Sequence, residues 1–162
     1  MYLTVHFGLE LDDKVYPKGG DTEAGVHYMG PQGFLALLEA HLGLLGPTNT
    51  IDYLRIAQFR HALQKHLDNT PTAFYKNSFE ADQLAAAEEL LNRRDELKLA
   101  GWDFEPTKDT PTRLADLAKV EEIIAEADYD FATGFADRFV KVISACEERT
   151  TPIEQLLSLI HI

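Results

Sequence analysis

Apolar and polar residues alternate over the first eleven positions, with Leu3, Val5, Phe7 and Leu9 on one side. The β-branched and aromatic character of residues 2–9 predicts a strand. Residues 12–25 collect Asp, Lys, Pro and glycines, including Gly19-Gly20, and read as a solvated loop. Val26, His27, Tyr28 and Met29 resume strand character until Gly30-Pro31 ends it. From Pro31 the period changes: Phe34, Leu35, Leu37, Leu38, Leu42 and Leu45 recur at three- and four-residue steps, as one face of a helix requires. Pro31 suits a first helical turn because the N–H it lacks has no partner there. Gly43 and Gly46-Pro47 stop the pattern.

Asn49 or Thr50 can cap a second helix, striped by Ile51, Leu54, Ile56, Phe59, Leu63 and Leu67 and running to about Asn69. Ser78 begins the longest helical pattern, which carries Leu84, Ala87, Leu90, Leu91, Leu97 and Leu99 and ends at Gly101. Trp102 stands where a hydrophobic residue folds back onto the last turn. A Pro-bearing loop over 104–111 separates this pattern from two amphipathic segments, 113–127 and 133–148. Residues 153–162 close the chain with an almost wholly apolar tail, Leu156 to Ile162, as expected of a parallel strand buried on both faces. Chain ends are normally polar and frayed, so the tail reads as part of a sheet completed by sequence beyond Ile162. The expected organisation is one α/β domain over 1–162: strand-rich 1–30, helical 31–150 and a C-terminal strand 153–162. It is mostly helical, with a small parallel sheet packed against about five helices.

Composition narrows the classes. The chain has 162 residues, 45% apolar, 10% aromatic and 26% charged, which is globular rather than disordered or fibrous. A core of this size buries ~70% of the unfolded chain's surface, so neither disulfides nor a structural metal are needed. Cys146 is the only cysteine. No apolar run approaches the ~18 residues of a membrane span, and the start lacks a basic leader and cleavage site, so a cytoplasmic protein is expected. With 15 Lys+Arg against 27 Asp+Glu, the net charge of −12 opposes nonspecific DNA binding by this chain alone. The acidic excess is concentrated after Ser78, whereas residues 51–76 are mildly basic. There Arg55, Arg60, Lys65 and Lys76, interleaved with Tyr53, Phe59 and Tyr75, form the one candidate phosphate-facing patch.

The candidate motifs weaken on inspection. The junction from Val26 to Phe34 lies where a phosphate-binding loop would, between strand and helix, but Gly33 is followed by Phe34 and Leu35 rather than Lys and Ser or Thr. Asp95, Glu96 and Lys98 resemble the acidic and basic residues of a metal-dependent nuclease, which there converge from strand ends. Here they fall inside a helical pattern, with i and i+2 about 200° apart, and read as a solvated face. His61 and His66 are about 140° apart around a helix and cannot share a metal as an i, i+4 pair could. His6, His27 and His161 sit on strand segments with nothing to fix their faces. Cys146 reads as a buried thiol, and Ser78 and Ser144 lack a nucleophile's glycine-flanked turn. The residues therefore assign no catalytic, cofactor-binding or metal-ligating group.

A resemblance adds to this reading. Residues 29–44 (Met-Gly-Pro-Gln-Gly-Phe-Leu-Ala-Leu-Leu-Glu-Ala-His-Leu-Gly-Leu), 73–82 (Ala-Phe-Tyr-Lys-Asn-Ser-Phe-Glu-Ala-Asp) and 90–103 (Leu-Leu-Asn-Arg-Arg-Asp-Glu-Leu-Lys-Leu-Ala-Gly-Trp-Asp) carry it. In their order and content they resemble the N-terminal region of bacterial proteins of the PD-(D/E)XK nuclease family related to AddB and RecB. The resemblance implies a helicase-like, P-loop NTPase-like domain without a functional P-loop, ahead of a nuclease domain that lies outside this chain and uses Mg2+. It implies DNA as a partner of the full-length protein, a possible partner helicase or nuclease subunit, and a role in DNA repair. A DNA exonuclease parent with a non-catalytic N-terminal scaffold or channel element is thus the first expectation. The alternative is a stand-alone acidic helical domain that binds a basic protein, and a third class is a small ATPase or metal hydrolase.

Overall fold

The computed structural model of the chain describes residues 3–12, 26–44, 52–148 and 160–161. The expected loop over 12–25, apart from Asp12, and most of the expected strand over 153–162 lie outside them. The chain divides into two compact units, one formed by Met1–Thr48 with Arg138–Ile162 and the other by Asn49–Asp137. The chain is mostly helical, with a small parallel sheet.

The first unit holds the sheet. Strand β1 (Leu3–Phe7) pairs in parallel with β2 (Val26–Met29) and with β3 (Ile160–His161), giving the order β2-β1-β3. Adjacent parallel strands need a crossover, so the alternation read at the start of the chain belongs to an α/β sheet and not to a hairpin. The strand is shorter than expected, because Leu9–Asp12 turn into a 3-10 helix. The register sets Phe7 opposite Met29 and His6 opposite Tyr28. His6 and Tyr28 stack at 4.6 Å, while Phe7 meets Phe34 edge-on at 5.6 Å. Phe34 belongs to helix α1 (Pro31–Leu42), which ends where Gly43 adopts φ 70 and the Leu44 N–H bonds to the Glu39 carbonyl. Val5, Leu35, Leu42 and Val142 are buried here. Glu39 of α1 is buried too, held by a bidentate pair from Arg138 (2.8 and 2.5 Å).

The second unit is helical: α2 (Asp52–Asn69), α3 (Lys76–Ala81), α4 (Gln83–Leu99), α5 (Thr112–Ala125) and the first residues of α6 (Phe135–Glu148). Phe59, Ala62 and Leu63 of α2, Phe79 of α3, Ala87 and Leu91 of α4, and Val120 and Ile124 of α5 share one apolar cluster. The long pattern expected from Ser78 to Gly101 is two helices. Asp82 takes extended φ −151, ψ 103, and its carboxylate accepts the N–H groups of Leu84 and Ala85, both at 3.0 Å. An N-cap of this kind satisfies donors that a continuous helix would not leave open. Leu84, expected in the buried stripe, is exposed in this capped first turn. At the other end Gly101 (φ 85) donates to the Lys98 carbonyl and Trp102 to that of Leu97, the paired bonds of a Schellman cap. Trp102 then packs on Phe104 at 4.4 Å, folding back as its position after the glycine suggests.

Candidate functional site

The strand-to-helix junction of the first unit lies where ligands bind in open parallel sheets, at the carboxyl ends of the strands. β1 is followed by Gly8, whose N–H bonds to the Met29 carbonyl at 3.2 Å, and β2 by Gly30. Gly30 is the extended cap of α1, Pro31 occupies the first turn, and the Phe34 N–H closes onto the Gly30 carbonyl at 2.9 Å. Where a phosphate loop places Lys and then Ser or Thr, this chain has Phe34 against Phe7 and Leu35 at 2% exposure. Leu35 is part of the buried interior, while Phe34 is half-buried against the exposed Phe7.

The second unit holds the densest charge in the described residues. Arg55 of α2 grips Asp95 of α4 through both terminal nitrogens (2.7 and 2.6 Å) and reaches Asp137 at 2.9 Å, while its Nε donates to the Ala132 carbonyl at 3.1 Å. Arg94 of α4 donates twice to Glu121 of α5 (2.9 and 2.5 Å), to Asp137 at 2.7 Å and to Asp95 at 3.0 Å. Lys98 adds a bond to Asp137 at 2.9 Å. Three cations thus face three carboxylates and the formal charges cancel. Phe131 lies under both guanidinium groups, 5.7 Å from Arg55 and 5.5 Å from Arg94.

Burial decides what this cluster can do. The Arg94 side chain is 3% exposed and that of Asp137 11%. Burial alone would push the Asp137 carboxyl up, yet Arg94, the Gly134 N–H and Lys98 hold it well below the usual carboxylate range. For Arg94 burial works against the charge, but the hydrogen bonds and charges of Glu121 and Asp137 outweigh it and raise its pKa. Gly134 fits because a side chain there would fall on the Arg55 guanidinium. Among the described residues no buried side-chain polar atom lacks a partner. The cluster's donors and acceptors are spent on one another, which suits it to joining helices rather than to holding a substrate.

Two of these groups stand elsewhere than the helical pattern suggests. Asp95 and Lys98 were expected on a solvated face and are drawn into the cluster, whereas Glu96 is solvated and pairs with Arg93. Likewise Arg55 is no part of a basic patch: it is buried and multiply paired. Arg60 donates to Gln83 at 2.9 Å, Lys76 lies 3.9 Å from Glu80, and Lys65 lines a shallow cleft with His61, Glu126 and Tyr129. Of the aromatics beside them, Phe59 and Tyr75 are core and Tyr53 is exposed. His6, His27 and His61 are exposed, Cys146 is half-buried rather than buried, and Ser78 and Ser144 are exposed. The side chain of His161 lies outside the described residues.

A smaller buried polar group was not foreseen. His66 of α2, 4% exposed, places Nδ1 2.7 Å from the Tyr75 hydroxyl, which donates to the Leu63 carbonyl at 3.0 Å. Its Nε2 lies 3.9 Å from Asp116 of α5. The other oxygen of Asp116 accepts the Phe74 N–H at 3.2 Å. A polar residue on an otherwise apolar stripe is the signal that could have found both clusters. Arg55, Phe59, Ala62 and His66 follow one another at helical spacing, as do Ala87, Leu91 and Arg94, and all are buried. Among the described residues no group of three or more His, Cys, Asp or Glu is placed to hold a metal ion, and no helix is long and apolar enough to cross a membrane. The chain matches no protein-family model, no curated protein and no solved structure.

Proposed function

We propose that this chain is a non-catalytic, helicase-like domain of a DNA-repair nuclease of the PD-(D/E)XK kind, acting in its parent protein as a scaffold or as a wall of the DNA channel. One observation carries the reading. A parallel strand feeds a helix through Gly30-Pro31, the layout from which phosphate-binding loops are made, and half-buried Phe34, against Phe7, and buried Leu35 stand where the phosphate lysine and the magnesium-binding hydroxyl would. The self-paired charges of the second unit support it, since they brace helices and offer no reacting group. In this reading DNA and Mg2+ are engaged by the parent protein's nuclease domain.

The reading frame beyond codon 162 and the protein it encodes test this. The expected result is an in-frame nuclease region with Mg2+-dependent exonuclease activity that survives alanine substitution throughout residues 30–34. A stop codon near Ile162, or a continuing frame with no such nuclease, contradicts the proposal and favours a stand-alone acidic interaction domain. Loss of nuclease turnover on substituting 30–34, with folding and DNA binding intact, contradicts the non-catalytic role.

A further inference from the structure

We propose that His66, Tyr75 and Asp116 form a proton-operated latch on the connection between α2 and α3. The Tyr75 hydroxyl has a single proton and donates it to the Leu63 carbonyl, so toward His66 it can only accept. That assigns the neutral ring's proton to Nδ1 and leaves a lone pair on Nε2, which faces a carboxylate oxygen of Asp116 at 3.9 Å. Two acceptors confront each other in a buried site, with space between them for one proton.

A proton taken from solvent at Nε2 fills that place. The ring then donates from both nitrogens, to Tyr75 and to Asp116. For the new bond to reach ordinary length, about 2.8 Å, the carboxylate must approach by roughly 1 Å. The same carboxylate anchors the Phe74 N–H through its other oxygen, in a bond already 3.2 Å long. Proton uptake at His66 therefore competes with the anchor on Phe74, next to the tyrosine that completes the group.

The surrounding charges set the direction. On α5, Asp116 favours the imidazolium and Lys119 opposes it; burial opposes it most and leaves the His66 pKa below its ordinary value of 6.5. Within α2, Lys65 and Asp68 are exposed. Lys76, beside Tyr75, pairs with Glu80 in solvent, and α4 turns Glu88 and Glu89 outward and Arg94 into the ion-pair cluster. The latch is thus closed at neutral pH and released by acid.

NMR of the histidine rings and backbone amides between pH 7.5 and 5 tests this on the unaltered chain. The expected result is an Nδ1–H tautomer for His66 at pH 7.5 and a midpoint below 6.5. The Phe74 amide should shift with that same midpoint, its exchange accelerating on the order of tenfold once the anchor is lost. In Asp116→Asn the Phe74 amide should no longer respond over this range. An Nε2–H tautomer, a midpoint at or above 6.5, or a Phe74 amide indifferent to pH would each overturn the latch. A Phe74 response that persists in folded Asp116→Asn would do the same.

Discussion

The end of β2 and the charged cluster of the second unit make an instructive pair. At the strand end the backbone is arranged as in a ligand site, parallel strands opening onto a helix through Gly30-Pro31, yet the side chains that follow are Phe34 and Leu35. In the charged cluster the side chains are those of chemistry, with two arginines, a lysine and three carboxylates within hydrogen-bond distance. There each charge is neutralised by its neighbours. One region has the layout of a site without its residues, and the other has reactive residue types whose charges are paired with one another. A site needs both, because transition-state stabilisation requires donors aimed at a bound group and not already occupied. The same contrast separates folding from function energetically: a buried, mutually satisfied ion cluster orients helices, and breaking it leaves charges stranded.

The sharpest way to break the comparison is Arg94→Ala. It removes both bonds to Glu121 and leaves the cluster one positive charge short, and a loss of about 3–5 kcal/mol of unfolding free energy is expected by denaturant titration. A loss under about 1 kcal/mol would mean the cluster is not what joins these helices. Gly134→Ala should cost less, about 1–3 kcal/mol. Its methyl would displace an Arg55 guanidinium already fixed by Asp95, Asp137 and the Ala132 carbonyl. A smaller effect, of a different kind, separates the two buried polar groups by pH. His66 is neutral in the folded state with a lowered pKa, so the unfolded chain binds its proton first. Its contribution to stability should be intact above pH 6.5 and be lost progressively as pH falls below that value. Asp137, with its carboxyl held far below the usual range, should contribute through the same window without change. Melting temperatures of the chain and of His66→Gln across pH 5–8 check this, and the variant's profile should be the flatter.

How much of this was legible follows from which signals are local. The strand character of residues 2–9 and 26–29, the helix start at Pro31 and the stops at Gly43 and Gly101 depend on near neighbours in the chain, and the structure has them within a few residues. The parallel sheet was legible too, from the almost wholly apolar run Leu156 to Ile162, which suits a strand buried on both faces. The break at Asp82 was not, because Ala, Leu and Glu on either side favour helix and only the carboxylate's capping bonds reveal the interruption. The charged cluster was missed for a related reason. The pattern expected of α4 ran through Leu84, Ala87, Leu90, Leu91, Leu97 and Leu99; Ala87 and Leu91 are buried, but Leu84 and Leu99 are exposed and the buried face continues to Arg94. The partners of the two arginines are remote in sequence, Asp137 lying 43 residues from Arg94 and 82 from Arg55, so no local pattern pairs them.

The most direct test of the central claim is the melting temperature of the purified chain as Mg2+–ATP is raised to several millimolar. A ligand present at 100 times its Kd adds about 2.7 kcal/mol to stability, so a working nucleotide site would declare itself. An unchanged melting temperature is expected, because Phe34 and Leu35 at the start of α1 offer no charged or hydroxyl group to a phosphate. A saturable rise that disappears when Gly30 or Gly33 is replaced in a variant that still folds would contradict it.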